Sequence, residues 1–510
     1  MFRKLLITLA IAVMIQAQQL EAAHISYFNV SPQLAAVKVS FPDQQYWAKK
    51  LPIRGWLEDY IIIEWNQDSQ KVCDALDLQA TVFSGLGRFW IISHLKAHNL
   101  NVLYSNFDIV LEASDSLLLK ATQDQAFFLV DLGYHIEELN SDLEKPIASD
   151  ALYSTQVFVN DQQIEEMVAQ VDSNAIDQTV QDLVNFGTRK ANTQGGLSAQ
   201  EWVRGQYAAL GITDVSLFPV DNQPTHHDNI IAVYPGMTHP DEIIVVGGHY
   251  DSILSGFGGD TFAPGADDNA SGTAGVLEAA RILSQYDFEK TIIFAAFASE
   301  EYGLLGSKSY AGHLNDENEN VIAMINLDMI GYLQAGDAFD LDIVKNTGSQ
   351  ALYNLAKTTI EAYVPNLPVV EGSLPPGASS DHKSFWNEGY PAVFFFEDSN
   401  AHSNFIHSTG DTIGQSYNNS NLAKAITQAT VATVATLAVP YQTTNPTPTP
   451  VPTPDTTPPE QNPPLYDNAP SIQSNLAISA CQQQSASEGF ALLLMLFALT
   501  LFNFVQTKRS

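Results

Sequence analysis

Residues 241–252 read Asp-Glu-Ile-Ile-Val-Val-Gly-Gly-His-Tyr-Asp-Ser. A short run of β-branched apolar residues suits a strand buried on both faces. Two glycines end the run and polar side chains follow it. Apolar runs at 291–298, 321–327 and 392–396 repeat the form. The stretches between them are helical in period: 271–283 sets Val276, Leu277, Ala280 and Leu283 on one face. This alternation predicts an α/β domain with a mostly parallel, mixed central sheet flanked by helices.

In open sheets of this kind, chemistry gathers at the carboxyl ends of the strands. The first run delivers His249, the second Glu300 and Glu301, and the third Asp328. Asp267, in Gly-Ala-Asp-Asp-Asn-Ala-Ser-Gly, precedes a helix start where Gly265 and Gly272 allow close backbone approach. His407 lies in a loop beyond the last strand, in Ile-His-Ser-Thr-Gly-Asp. His249, Asp267, Glu301, Asp328 and His407 supply the imidazole and carboxylate donors of a hydrolytic centre with two zinc ions. Two such ions share one carboxylate and activate a water between them. Glu300 is the spare carboxylate, placed to act as general base: it takes the water's proton and returns it to the leaving amine. His226 and His227, in a polar stretch, read as loop.

The chain has 510 residues, enough for two or three domains. It carries 57 acidic and 23 basic residues, a net charge of -34, which argues against nucleic acid as a partner and fits an exported protein. The only cysteines are Cys73 and Cys481, so neither a disulfide framework nor a thiolate metal site is expected.

Residues 1–23 read as a signal peptide: Arg3 and Lys4, an apolar stretch over 5–15, and small residues at Ala22 and Ala23. Residues 24–162 lack metal-type motifs and read as a small α+β accessory domain or prodomain. Within it, 116–121 predicts a strand. Thr122 caps a helix over 123–132 that Gly133 ends, and 135–139 predicts the returning strand. The alternating strand–helix pattern spans 163–440. A Pro/Thr-rich linker follows over 441–465. The tail, 466–510, holds an apolar segment at 490–505 before Lys508 and Arg509. That segment is a C-terminal sorting signal or a transmembrane anchor, so possible membrane attachment is expected there.

The motifs, taken together, resemble those of the secreted bacterial leucyl aminopeptidase family of two-zinc metallopeptidases. The match runs through His249-Tyr250-Asp251-Ser252, residues 264–272, Ser299-Glu300-Glu301 and Asn326-Leu327-Asp328-Met329. It continues through Ser380-Asp381-His382, Gly389-Tyr390-Pro391-Ala392 and residues 407–412. The resemblance implies a fold of the zinc-dependent exopeptidase type. It makes Asp267 the bridging carboxylate, gives His249 and Asp328 to one zinc, and Glu301 and His407 to the other. It makes Glu300 the general base and Asp251 the group that orients His249. It also implies a cis peptide between Asp267 and Asp268, and no ligand role for His382. Where some members carry a disulfide beside the substrate pocket, this chain has Pro375-Pro376-Gly377, so pocket shape departs from theirs.

The expected activity is removal of N-terminal amino acids from peptides with a free N-terminus, by a monomer with two zinc ions. A carboxypeptidase must neutralise a terminal carboxylate, and no arginine occurs between Arg281 and Arg509; Lys383 is the best-placed substitute. Carboxypeptidase activity or single-zinc glutaminyl cyclisation on the same fold are the alternatives.

Overall fold

The computed structural model describes residues 33–441 except 40–49, 58–59, 77, 85–87, 94–99, 115, 140–160, 256–257 and 375–377. The expected leader (1–23), nearly all of the linker and the whole tail lie outside the described residues. Among the described residues no helix is long and apolar enough to cross a membrane.

Two four-stranded antiparallel sheets come first. Strands β1 (Gln33–Lys38), β2 (Ile53–Leu57), β3 (Tyr60–Trp65) and β4 (Ala80–Ser84) take the order β2-β3-β1-β4. Strands β5 (Phe89–Ser93), β6 (Asp108–Glu112), β7 (Ser116–Lys120) and β8 (His135–Glu138) take the order β6-β7-β5-β8. Helices α1 (Gln67–Ala75), α2 (Asn101–Asn106) and α3 (Gln123–Asp131) join them. Thr122 caps α3 in a capping box with Gln125, and Gly133 follows at φ 92°. The chain then returns as β8, with His135 opposite Ser93 of β5. The strand–helix–strand reading of this segment therefore matches the observed elements to within a residue or two.

The second region is layered. Helices α4 (Gln162–Ala169), α5 (Ser173–Val184) and α6 (Gln194–Ala209) lead into β9 (Asp214–Phe218), β10 (Asn229–Tyr234) and β11 (His239–His249). Then come α7 (Ala270–Leu283), β12 (Lys290–Phe297), α8 (Leu305–Asp316) and β13 (Asn320–Leu327). Last come β14 (Leu341–Lys345), α9 (Gln350–Tyr363), β15 (Val369–Glu371), α10 (His382–Asn387), β16 (Ala392–Phe396) and α11 (Ser420–Ala438). The strands form one mixed sheet of eight in the order β15-β14-β16-β13-β11-β12-β10-β9. The central four, β16-β13-β11-β12, are mutually parallel, and antiparallel pairs begin on either side of them. Their residues are buried almost throughout, as continuous apolar runs require.

Apolar burial links the two regions. One cluster holds Trp90, Leu129 and Ile136 together with Ile244, Tyr302 and Leu305. The N-terminal sheet β6-β7-β5-β8 and the peptidase layers thus close over a common core. A smaller cluster around Ile61, Ile63 and Cys73 belongs to the first sheet; Cys73 is a buried free thiol.

Candidate metal centre

Three adjacent parallel strands end at one rim. His249 is the last residue of β11, Glu300 and Glu301 open a 3-10 turn just after β12, and Asp328 directly follows β13. Left-handed backbone at Ser299 (φ 58°), Met329 (φ 53°) and His407 (φ 51°) turns the chain sharply at these points. Such conformations persist where surrounding structure enforces them, and they cluster at functional sites.

The donors converge as two triads that share one carboxylate. One is His249, Asp268 and Asp328; the other is Asp268, Glu301 and His407; within each triad the ligand atoms lie within 4.8 Å of one another. His249 Nε2 is 3.4 Å from both Asp268 Oδ1 and Asp328 Oδ1. His407 Nε2 is 3.1 Å from Asp268 Oδ2 and 2.7 Å from Glu301 Oε2. Donors roughly 2.1 Å from a tetrahedral ion stand roughly 3.4 Å apart, so the first triad already has the required spacing. Buried His249 Nε2, Asp328 Oδ1 and Glu301 Oε1 make no hydrogen bond. Buried polar atoms are otherwise almost always satisfied, so these donors fit a pair of divalent ions.

The shared carboxylate is Asp268, which corrects the assignment of that role to Asp267. Asp267 turns away from the triads: its Oδ1 accepts from the Gly331 amide at 3.0 Å, and its carboxylate lies beside Glu397. Burial, then the charge of Asp267, pushes Glu397 well above the ordinary carboxylate range, so Glu397 can carry the proton of that pair. The cis peptide likewise lies one residue later than expected, between Asp268 and Asn269. The other expected donors, His249, Glu301, Asp328 and His407, all lie in the triads.

Each donor is held by neighbours. His249 Nδ1 donates to the Asp251 carbonyl at 3.2 Å, leaving Nε2 to face the carboxylates. The Asp251 carboxylate, 3.6 Å from that Nδ1, accepts from the amides of Glu300 and Glu301. Asp251 therefore aligns the glutamate turn as well as the imidazole. Asp328 Oδ2 accepts from Ser380 Oγ at 2.7 Å, and that hydroxyl accepts from Asn326. Asp411 accepts from the amides of Asp267 and Asp268. Glu300 Oε2 is 4.0 Å from His249 Nε2 and outside both triads. Burial pushes Glu300 well above the ordinary range, and pushes Glu301 up to about 7.

Arg189 is a structural member that the motif reading missed. It is fully buried and donates to the carbonyls of Tyr250, Pro264 and Gly265 at 2.7–2.8 Å. It thereby ties the strand that ends in His249 to the loop that carries Asp268. Burial lowers its pKa to about 10, against the pull of Asp411 and Asp251, so it keeps its charge. Gly265 is required beside it: φ is 52°, and a Cβ there would stand 2.5 Å from the Asp268 carbonyl and 2.8 Å from the guanidinium. His226 and His227 lie in a loop, as read. His382 packs between Trp386 and Phe394, away from the donors.

A cavity of about 110 Å³ opens over the triads. Asp268, Glu300, Glu301, Asp328 and His407 form its polar floor. Met329, Leu374, Phe394, Phe396 and Ile406 give it apolar walls, and His135 of β8 also lines it. Pro375, Pro376 and Gly377 lie outside the described residues.

Comparison with known proteins gives the family. The model of Peptidase family M28 matches residues 229–434. Leucine aminopeptidase 1 of Pyrenophora tritici-repentis is 34% identical over 264 residues, covering 48% of this chain and 66% of that protein. Leucine aminopeptidase 1 of Pyrenophora teres f. teres is 31% identical over 296 residues, covering 55% of this chain and 74% of that protein. These relatives are fungal, whereas the motifs suggested a bacterial group. The LapA aminopeptidase structure from Legionella pneumophila shares the fold, with a TM-score of 0.57 at 22% identity, over 70% of this chain and 99% of that one. On its motifs, its sheet and its relatives, the chain belongs to peptidase family M28 and is a hydrolase of the metallo-aminopeptidase type.

Proposed function

We propose that this hydrolase is an exported, monomeric aminopeptidase that holds two zinc ions and releases bulky apolar residues from the N-terminus of peptides. The carrying observation is the charge of the cleft: among the described residues its lining holds four carboxylates and no lysine or arginine. Two divalent ions would balance those four carboxylates, so the missing cation decides: no lysine or arginine of the lining is there to pair with a terminal carboxylate, whereas a free α-amine can approach an ion or Glu300. Lys383, the remaining candidate for binding a carboxylate, is paired with Glu137 at 2.6 Å. The apolar walls suit a leucine-like side chain, in keeping with the names of the fungal relatives.

His249 and Asp328 would hold one ion, Glu301 and His407 the other, with Asp268 between them. Bound there, the ions would polarise the scissile carbonyl and acidify a water. The chain supplies the proton traffic. Glu300, made more basic by burial, accepts the water's proton and passes it to the departing amine. Asp251 keeps Glu300 in place through its backbone amide.

Metal analysis should give two zinc ions per chain; one ion would favour the cyclase. Leucine 4-nitroanilide should be cleaved and N-acetylated peptides left intact. Efficient cleavage of the blocked peptides would remove the aminopeptidase reading. Glu300→Gln should lower turnover by about 10²–10⁴-fold while metal content and thermal midpoint stay unchanged.

A further inference from the structure

The turn that carries Glu300 and Glu301 opens at Ser299, a buried residue in the left-handed region (φ 58°, ψ 32°). Leu304, just after the turn, is left-handed too (φ 61°). Side-chain-bearing residues hold that conformation where neighbours enforce it. The Ser299 hydroxyl does not cap the turn that it opens. It is engaged instead by His226 Nδ1 at 2.9 Å, from the loop before β10. Two aromatic rings lock that imidazole. Tyr302, the last residue of the turn, packs T-shaped against it with centroids 5.0 Å apart. Phe127 of α3 stacks on it at 5.6 Å, with 29° between the planes, and also meets Tyr302 at 5.1 Å. Burial lowers the His226 pKa to about 4, so the ring is neutral and adds no charge beside the glutamates.

We infer that His226 is a positioning residue: by holding the Ser299 hydroxyl it fixes the backbone that presents Glu300 to the cleft, with Phe127 of the N-terminal region as its backing. This rests on the reading of Glu300 as general base. Glu300 stands outside both triads, so no metal bond would hold its carboxylate; its place is set by the backbone that carries it. Asp251 grips the middle of the turn, through the amides of Glu300 and Glu301. His226 grips its start through Ser299 and its end through Tyr302. A misplacement of about 1 Å at a reacting group costs about a hundredfold in rate, so a partial loosening of this turn is felt in turnover. Neither His226 nor Phe127 lines the cleft, so substrate binding should be spared. The N-terminal region thereby assists turnover from behind the turn.

The test uses the full-length zinc-loaded chain with His226→Phe, which keeps an aromatic ring and loses the nitrogen, and His226→Asn, which keeps a polar atom near the place of Nδ1. On leucine 4-nitroanilide, His226→Phe should lower kcat by about tenfold and leave KM within about twofold. His226→Asn should recover about threefold of that loss. Ser299→Ala should match His226→Phe, and the double variant should lose no more than either, as one shared contact requires. Phe127→Leu, which unlocks the ring, should lower kcat by about threefold. Unchanged kcat in His226→Phe, a rise in KM at steady kcat, equal losses in the Phe and Asn variants, or additive losses in the double variant would each overturn the proposal. A second arm follows hydrogen exchange of the amides over 300–305, which reports on the turn whatever the chain hydrolyses. Exchange about tenfold faster in His226→Phe, confined to that stretch, supports the hold on the turn even if the unaltered chain leaves the anilide intact, a result that would defeat only the aminopeptidase reading. Unchanged exchange there, or faster exchange throughout the chain, overturns the hold.

Discussion

Asp267 and Asp268 are chemically identical neighbours with opposite surroundings. The first faces Gly331 and Glu397, the second faces two imidazoles. Asp268→Asn should cost at least about a hundredfold in zinc affinity. Asp267→Asn should retain both ions and chiefly lower stability. Zinc titration against a fluorescent chelator separates the two outcomes. The sequence showed that an aspartate was needed in this loop. It could not show which of two adjacent ones, because that depends on the turn of the backbone between them.

At the level of strands and loops, much could be read directly. Continuous apolar runs located β11, β12, β13 and β16, and residues at or just past the ends of three of them fall in the two triads. Arg189 escaped notice because a lone arginine before a helix has no pattern to mark it; only the fold brings Tyr250, Pro264 and Gly265 around it. Arg189→Met would strand these three carbonyls. It should destabilise the protein by at least about 3 kcal/mol in urea unfolding and weaken zinc binding as the Asp268 loop loosens. Helix α10 carries a second testable feature. Burial, with a smaller push from Lys383, lowers His382 to about 3, so it is neutral when folded. A folded pKa below the ordinary 6.5 means that its contribution is fully present above pH 6.5 and is lost as pH falls toward 3. His382→Phe should therefore flatten the loss of stability between pH 6.5 and 4 by about 1.4 kcal/mol per pH unit, read from denaturant midpoints across that range.

Across the whole molecule, the proposed metal centre would be a structural joint as well as a reactive one. The residues of its two triads come from three strand ends and two loops, the last of them after β16. Ions bound about 1,000-fold above their dissociation constant would stabilise the fold by about 4 kcal/mol per site. Chelation should accordingly lower the thermal midpoint, and added zinc should restore it, as scanning calorimetry would record. The layered α/β plan was legible from alternation alone. The placement of the N-terminal sheets against it was not, because nothing local in residues 116–139 announces a partner in the glutamate turn.

That junction has a bearing on biogenesis. Glu137 is synthesised 246 positions before Lys383, the cation that secures it. Until the later segments emerge, Phe127 of α3 lacks the His226 and Tyr302 rings that it packs against. A topology joined over such distances folds slowly and late, and the nascent chain carries a sticky surface for much of its translation.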